Sequence, residues 1–253
     1  ISTGGAGAFY EGAIAGQILA ALATTPDNPS LMNAADLAGY RAIERDPVCV
    51  AYRAYDICGM GPPSSGALTV GQILGMLTHF DMKSIGFGPV AAHIFSEASR
   101  LAFADRALYM ADDDFVGVPV RGLLDPHYLR ARSALIAAEH TMAVAMPGKP
   151  PFAQKGDLFP DLQPERAGTS HFVIVDAAGN AVSMTTTIET GFGSRLMAGG
   201  FLLNNELTDF SFLPEQEGKP VANRVEGGKR PRSSMAPTIV LKDGKPVILI
   251  GSP

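Results

Sequence analysis

The chain has 253 residues, 46% of them hydrophobic and 18% charged, with a formal net charge of -5. That is enough apolar material for one large globular domain or two small ones, and it excludes a disordered chain. The acidic balance and the lack of a basic stripe argue against nucleic-acid binding. Cys49 and Cys58 lie in one strand-like region. They could pair, but two cysteines in so long a chain do not make a disulfide framework, so buried free thiols are the expected state. The most apolar run, residues 13–23, is too short to span a bilayer.

Gly4, Gly5 and Gly7 lack the strand and the full spacing of a phosphate-binding loop and read as a plain loop. Residues 8–24 then read as a helix with Ile14, Ile18, Leu19 and Leu22 on one stripe. Asn33 caps a second short helix. Residues 47–60 alternate as paired strands, and Gly61-Pro-Pro-Ser-Ser-Gly66 breaks the chain. No strand–elbow–helix pattern surrounds Ser64 and Ser65, so cap and turn roles are expected of them rather than nucleophilic ones. A helix over 68–79 should turn Val70, Ile73, Leu74 and Leu77 inward.

The longest helix is predicted over 90–110. Its buried stripe comprises Ile94, Phe95, Ala98, Leu101, Ala102, Ala104 and Leu108, interrupted by Glu97, Asp105 and Arg106. Asp112, Asp113 and Asp114 are adjacent, without the spaced ligands of a calcium loop, and read as a solvated turn. A short helix is expected over 128–138. An exposed linker rich in Pro, Gly, Lys and Asp follows over 145–167.

That linker ends at Gly168-Thr169, the head of a strand. A loop over 177–180 and a second strand ending in Thr185-Thr186-Thr187 complete a hairpin. A strand-leading Thr is ordinarily only a strand residue. Freed by cleavage before Thr169, its hydroxyl becomes a nucleophile with its own amine as base. A four-residue loop sets Ser170 opposite Thr187 and His171 opposite Thr186, which makes Thr186 the face-mate of Thr169. A bulge or a one-residue slip selects Thr187 instead. His171 beside Ser170 is weak evidence for a Ser-His-Asp triad.

Further on, Glu189 opens a loop-like stretch, Phe201-Leu-Leu203 is a short strand, and Glu206 and Asp209 lie in a polar loop. Converging carboxylates there would bind an ammonium group. Ser233 and Ser234 are turn residues unless a carboxylate is held nearby, which paired hydroxyls can do. Asp243-Gly244 between two apolar runs signals a final hairpin.

Several stretches resemble the γ-glutamyltransferase (γ-glutamyltranspeptidase) family of N-terminal nucleophile hydrolases. They are Thr169-Ser-His-Phe, Asp176-Ala-Ala-Gly-Asn-Ala-Val-Ser, Phe192-Gly-Ser, Leu202-Leu-Asn-Asn-Glu-Leu-Thr-Asp-Phe-Ser and Arg232-Ser-Ser-Met-Ala-Pro-Thr. Upstream, Ala8-Phe-Tyr-Glu-Gly, Pro62-Pro-Ser-Ser-Gly and Phe103-Ala-Asp-Arg match as well. The resemblance covers nearly the whole chain in one order. It corresponds to the end of the family's large-subunit region, residues 1–168, and the start of its small-subunit region, residues 169–253, within one structural domain.

The resemblance implies an α+β fold, a four-layer αββα sandwich, with self-cleavage between Gly168 and Thr169. It implies Thr169 as nucleophile, Thr187 as its hydrogen-bonding partner, Glu206 and Asp209 on the substrate α-amino group, and Ser233 and Ser234 on its α-carboxylate. Glu189 stands where the family usually has Asn in the amino-group site, and Ser170 where it usually has Thr. The family's oxyanion-hole glycines are expected directly after Gly251-Ser-Pro253, and its carboxylate-binding Arg upstream of Ile1.

The implied partners are a small γ-glutamyl amide such as glutathione, water or an amino acid as acceptor, and the large/small subunit pair left by cleavage. No metal, organic cofactor, nucleic acid or membrane span is called for, and the compartment is not legible. The rivals are a related acylase of the cephalosporin or glutaryl type and an uncleaved, non-catalytic scaffold.

Overall fold

A computed structural model describes residues 1–26, 28–153, 156–163 and 168–251. Part of the expected linker, residues 154–155 and 164–167, lies outside the described residues, as do Ser252 and Pro253. Helices and strands are mixed. In chain order come α1 (Gly5–Tyr10), α2 (Ala13–Ala23), α3 (Ala34–Gly39), β1 (Val48–Tyr52), β2 (Tyr55–Gly59), α4 (Gly66–Leu77), α5 (Met82–Ile85), α6 (Pro89–Tyr109), α7 (Val120–Leu123) and α8 (Pro126–Ser133). Then follow β3 (Thr169–Val175), β4 (Ala181–Thr187), β5 (Met197–Ala198), β6 (Phe201–Leu202), a 3-10 turn over Glu206–Asp209, β7 (Glu215–Gln216), β8 (Lys219–Pro220), β9 (Thr238–Lys242) and β10 (Lys245–Ile250).

The described chain divides into two compact units. One draws on residues 1–44, 168–169 and 187–206, the other on 45–163, 170–186 and 207–251. In the first, the helix expected over 8–24 is two helices, because the chain breaks at Glu11-Gly12 before α2. Counted together, Gly5–Ala23 is long and apolar enough to cross a membrane by length and composition alone, which the shorter run considered in the sequence is not. Here α2 packs on β5 and α3, burying Ala15 and Ile18. Asn33 caps α3 as expected, accepting from Ala35 N–H while Asp36 reaches back to Asn33 N–H.

The second unit is built on an antiparallel sheet ordered β1-β2-β9-β10. The expected hairpin at Asp243-Gly244 is present, both residues adopting the positive φ such a turn requires. Against the sheet lies α4, and α4 packs on α6 and α8 around Leu68, Met76, Ile94, Leu101 and Leu123.

Four expectations are corrected here. Cys49 and Cys58 form a disulfide: β1 and β2 set them directly opposite one another, a pairing that only the register reveals. In α6, Phe95 is 51% exposed, while Glu97, Asp105 and Arg106 are buried. The true stripe runs 94, 97/98, 101/102, 105/106, so the charged residues belong to it rather than interrupting it, and Phe95 falls one position off it. The short helix expected over 128–138 begins at Pro126 and ends at Ser133. Asp112 is no solvated turn residue: it is fully buried, accepts from Arg230 N–H at 2.8 Å and pairs with Arg45, which also holds Asp113 and Asp114.

Buried charge in α6 is compensated locally. Asp105 accepts from Gln72 Nε2, Tyr128 Oη and Gly148 N–H and pairs with Arg132 at 3.2 Å. Such a carboxylate is tolerable only because each contact restores part of its lost hydration. Burial, and then the neighbouring Asp105 carboxylate, raise the Tyr128 phenol above the ordinary tyrosine range.

Candidate active site

The hairpin β3–β4 carries Thr169 at one strand end and Thr187 at the other. Its loop is tighter than the sequence suggested. Asp176 N–H donates to Asn180 C=O at 3.0 Å, and the Asp176 carboxylate accepts from Ala178 N–H, Asn180 N–H and Asn180 Nδ2. Gly179 turns the chain at φ 87. These bonds, the Asn180 side chain first, hold the Asp176 carboxyl below its ordinary value.

Closure at Asp176 and Asn180 shifts the pairing by one residue from the expected register. A one-residue slip moves every side chain to the other face. His171 therefore meets Thr185, Nδ1 to Oγ1 at 2.8 Å, and not Thr186. In this register Thr187, not Thr186, lies on the same side as Thr169. Thr169, His171, Ser183, Thr185 and Thr187 share the half-buried side, while Thr186 is exposed.

Three atoms meet at the Gly168–Thr169 peptide bond. Thr187 Oγ1 donates to the Gly168 carbonyl at 3.3 Å and accepts from Glu189 N–H at 2.8 Å. That second bond occupies an acceptor position on Oγ1 and leaves its hydrogen aimed at the carbonyl. Gly168 is confined on its other side. A Cβ there would overlap the Glu189 carbonyl oxygen, so no side chain fits. Glu189 is buried and has φ 73, a conformation that costs a non-glycine residue energy. Its loop is tied to the segment before Glu206. Asn205 Oδ1 accepts from Thr190 N–H and Oγ1, both at 3.1 Å, Asn205 N–H donates to Ile188 C=O, and Glu206 N–H donates to Asn204 Oδ1. Thr169, Thr187, Glu189 and Glu206 thus belong to the first unit.

Asp209, Ser233 and Ser234 belong to the second. Ser65 makes no side-chain cap to α4, while Ser64 Oγ accepts from Gly66 N–H at 3.4 Å in a turn at the helix start, the kind of role expected of it. Both also hold the Ser233–Ser234 segment. Ser65 N–H and Oγ both donate to Ser233 C=O at 2.9 Å, Ser233 N–H donates to Pro63 C=O at 3.1 Å, and Ser64 Oγ donates to Met235 C=O. Gly66 has no room for a side chain, since its Cβ would lie 2.6 Å from the Met235 carbonyl oxygen. This explains the Pro-Pro-Ser-Ser-Gly run as a cradle for a segment about 170 residues downstream.

Residues that sequence reasoning missed complete this floor. Asn223 is fully buried and bridges two backbones. It donates to Asp209 C=O at 2.7 Å and to Asp161 Oδ2 at 3.1 Å, and accepts from Arg232 N–H at 2.9 Å. Arg232 pairs with Asp161 at 3.2 Å, both buried. Arg106 donates Nε to Ser65 Oγ at 2.7 Å and Nη2 to Ser234 Oγ at 2.5 Å. No periodicity marks these contacts. The available sequence signals were a charged residue on an otherwise apolar helix stripe and the place of Arg106 and Arg232 in two of the runs that carry the resemblance.

The sequence pattern of the family Gamma-glutamyltranspeptidase matches residues 1–253. The glutathione hydrolase proenzyme of Escherichia coli (strain K12) is 42% identical over 264 residues, an alignment that covers 100% of this chain and 43% of that protein. Among solved structures, the cephalosporin acylase from Bacillus halodurans superposes with a TM-score of 0.78 at 25% identity, covering 96% of this chain and 40% of that one. The Helicobacter pylori gamma-glutamyltranspeptidase gives 0.55 at 36% identity, over 61% of this chain and 44% of that one. The chain therefore spans less than half the length of the curated relatives it matches.

Proposed function

The chain belongs to the gamma-glutamyltranspeptidase family, and from that premise we propose that it forms part of an enzyme that cleaves γ-glutamyl amides such as glutathione. Thr169, exposed by self-cleavage, carries the acyl group. The observation that carries this reading is the Thr187 hydroxyl on the Gly168 carbonyl, held there by Glu189 N–H. A donor on that oxygen stabilises the charge that develops when the carbonyl carbon is attacked.

In self-cleavage, Thr169 Oγ attacks the Gly168 carbonyl carbon and its proton passes to the departing Thr169 nitrogen. The C–N bond breaks as an ester forms. Water then hydrolyses the ester, leaving a carboxylate on Gly168 and a free amine beside the Thr169 hydroxyl. In turnover that amine takes the hydroxyl proton as Thr169 attacks the γ-amide, and water or an amino acid takes up the acyl group. Glu189, Glu206 and Asp209 receive the α-amino group, and Ser233 and Ser234 the α-carboxylate. No metal or cofactor enters these steps.

The four-layer αββα sandwich is part of the same proposal. Residues 1–168 and 169–253 stay associated after cleavage as large- and small-subunit regions of one domain. In support, α2 packs on β5 and β2 pairs with β9, and each of these contacts joins the two regions.

The likeness to a cephalosporin acylase over 96% of the chain favours one second reading, an acylase that takes glutaryl-type acyl groups lacking the amine. The longest form of the protein containing residues 1–253 decides between them when assayed with γ-glutamyl anilide and with glutaryl anilide. Faster turnover of the γ-glutamyl compound is the expected result. Equal or faster turnover of the glutaryl compound would establish the acylase.

A further inference from the structure

Glu189 holds a main-chain conformation that residues with a side chain avoid, at φ 73. There Cβ crowds the residue's own carbonyl, a penalty that glycine escapes, asparagine tolerates and β-branched residues feel most. Such a conformation persists only where its surroundings over-determine it. Here Asn205 grips the chain on both sides of Glu189. Its N–H donates to Ile188 C=O at 3.3 Å, and its Oδ1 accepts from Thr190 N–H at 3.1 Å. Gly193 N–H donates to Thr190 C=O at 2.8 Å and closes the loop behind it.

Held this way, both peptide groups of Glu189 face the Gly168–Thr169 bond. Its N–H donates to Thr187 Oγ1 at 2.8 Å, and Thr187 Oγ1 donates to Gly168 C=O at 3.3 Å. Its carbonyl oxygen lies where a Cβ on Gly168 would stand. Gly168, Thr187 and Glu189 belong to the same compact unit. The N–H fixes which way the Thr187 hydrogen points, and the carbonyl limits where the scissile carbonyl can go. Relaxing Glu189 to a negative φ must swing one of these two groups away from the bond.

We propose that Glu189 is a positioning residue for self-cleavage and that it acts through its main chain. The left-handed turn at this residue keeps its N–H on Thr187 and its carbonyl on Gly168 at the same time, so the scissile carbonyl stays under the Thr187 hydroxyl. This rests on the reading above that the chain cuts itself between Gly168 and Thr169. The Glu189 carboxylate takes no part in it, which separates this role from recognition of an α-amino group by the same residue's side chain.

The test follows the appearance of the two fragments in the freshly translated longest form of the protein, for wild type and for Glu189→Gly, Glu189→Asn, Glu189→Gln and Glu189→Val. All these variants lack the carboxylate, so charge cannot order them among themselves. Cleavage should be fastest in Glu189→Gly and Glu189→Asn, slower in Glu189→Gln and slowest in Glu189→Val. The ends of that series should differ by about tenfold or more, the order of the left-handed penalty. Glu189→Val combined with Thr187→Val should lose less than the product of the two single losses, because the N–H then has no hydroxyl to orient.

Glu189→Val cleaving as fast as Glu189→Gly, or losses that multiply in the double variant, would overturn the proposal. Should Glu189→Val fail to accumulate as folded protein, Glu189→Gln against Glu189→Gly carries the same comparison. A wild-type chain that stays uncut would instead strike the proposed self-cleavage, and this inference with it.

Discussion

The segment carrying Ser233 and Ser234 and the hairpin carrying Thr169 are held in opposite ways. The serines sit in a floor assembled from distant parts of the chain: Ser64 and Ser65 before α4, Arg106 on α6, Asn223, Asp161 and Arg232. The hairpin is held largely by short-range contacts, through the Asp176 loop and the contacts of His171 with Thr185 and Ser183, although Ser183 Oγ also donates to Ile250 C=O at 3.2 Å. Its outward side carries Phe172, Ile174, Val182 and Met184, all exposed. The proposed recognition geometry thus rests on buried, non-local polar contacts, whereas the geometry around the Gly168–Thr169 bond rests on the hairpin register and on Glu189. A defect in the first should appear in substrate affinity and stability, a defect in the second in the rate of bond cleavage.

The sharpest break on the hairpin side is Gly168→Ala. The new methyl overlaps the Glu189 carbonyl, so the scissile carbonyl must move, and displacement by about 1 Å can cost ~10²-fold in rate. Self-cleavage, followed by the appearance of the two fragments on a gel, should slow by at least that factor. Wild-type kinetics would show that Glu189 does not confine the bond. Thr187→Val removes one donor from the Gly168 carbonyl and should slow cleavage by about 10²–10³, the cost of losing an oxyanion-type donor. The parallel change Thr186→Val, on the exposed side, should leave cleavage at the wild-type rate. Reversal of these two results would restore the register inferred from sequence.

On the recognition side, Asn223→Leu strips partners from Asp209 C=O, Asp161 and Arg232 N–H inside the core. Each hydrogen bond so lost costs about 0.5–1.5 kcal/mol, and the urea midpoint should fall accordingly. Stability equal to wild type would mean that Asn223 does not hold this floor together.

The smallest effect concerns α6. Burial pushes the Glu97 carboxyl up, but Met142 N–H at 2.9 Å and the Arg100 guanidinium at 2.8 Å outweigh it and hold the group below the ordinary glutamate value. A depressed carboxylate adds stability that is complete above its unfolded pKa and is lost as pH falls through the folded one. Acidification across that window should lower wild-type stability. Glu97→Gln should lack that part of the slope; an identical slope would contradict the assignment.

The contrast between local and distant contacts also sets what the sequence made legible. The paired strands at 47–60, the Asn33 cap and the Asp243-Gly244 hairpin are local, and alternation, capping chemistry and turn residues announce them. The disulfide was missed because it depends on the β1–β2 register, not on a cysteine count. The face of Thr187 was missed because counting a four-residue loop ignores the hydrogen bonds that Asp176 supplies. Ser64, Ser65, Arg106 and Asn223 were opaque because the partners that tie them into this floor lie 9 to 171 residues away. Among the proposed site residues, Thr187 came from family resemblance against the naive register; its Oγ1 donates to the Gly168 carbonyl.

The central claim is that Thr169 becomes an N-terminus. Intact mass measurement of the purified longest form tests it directly, with Thr169→Ala alongside. The account predicts two wild-type chains that separate between Gly168 and Thr169 and a variant of a single uncut mass. An uncut wild-type chain, or a Thr169→Ala chain cut at the same bond, would contradict it.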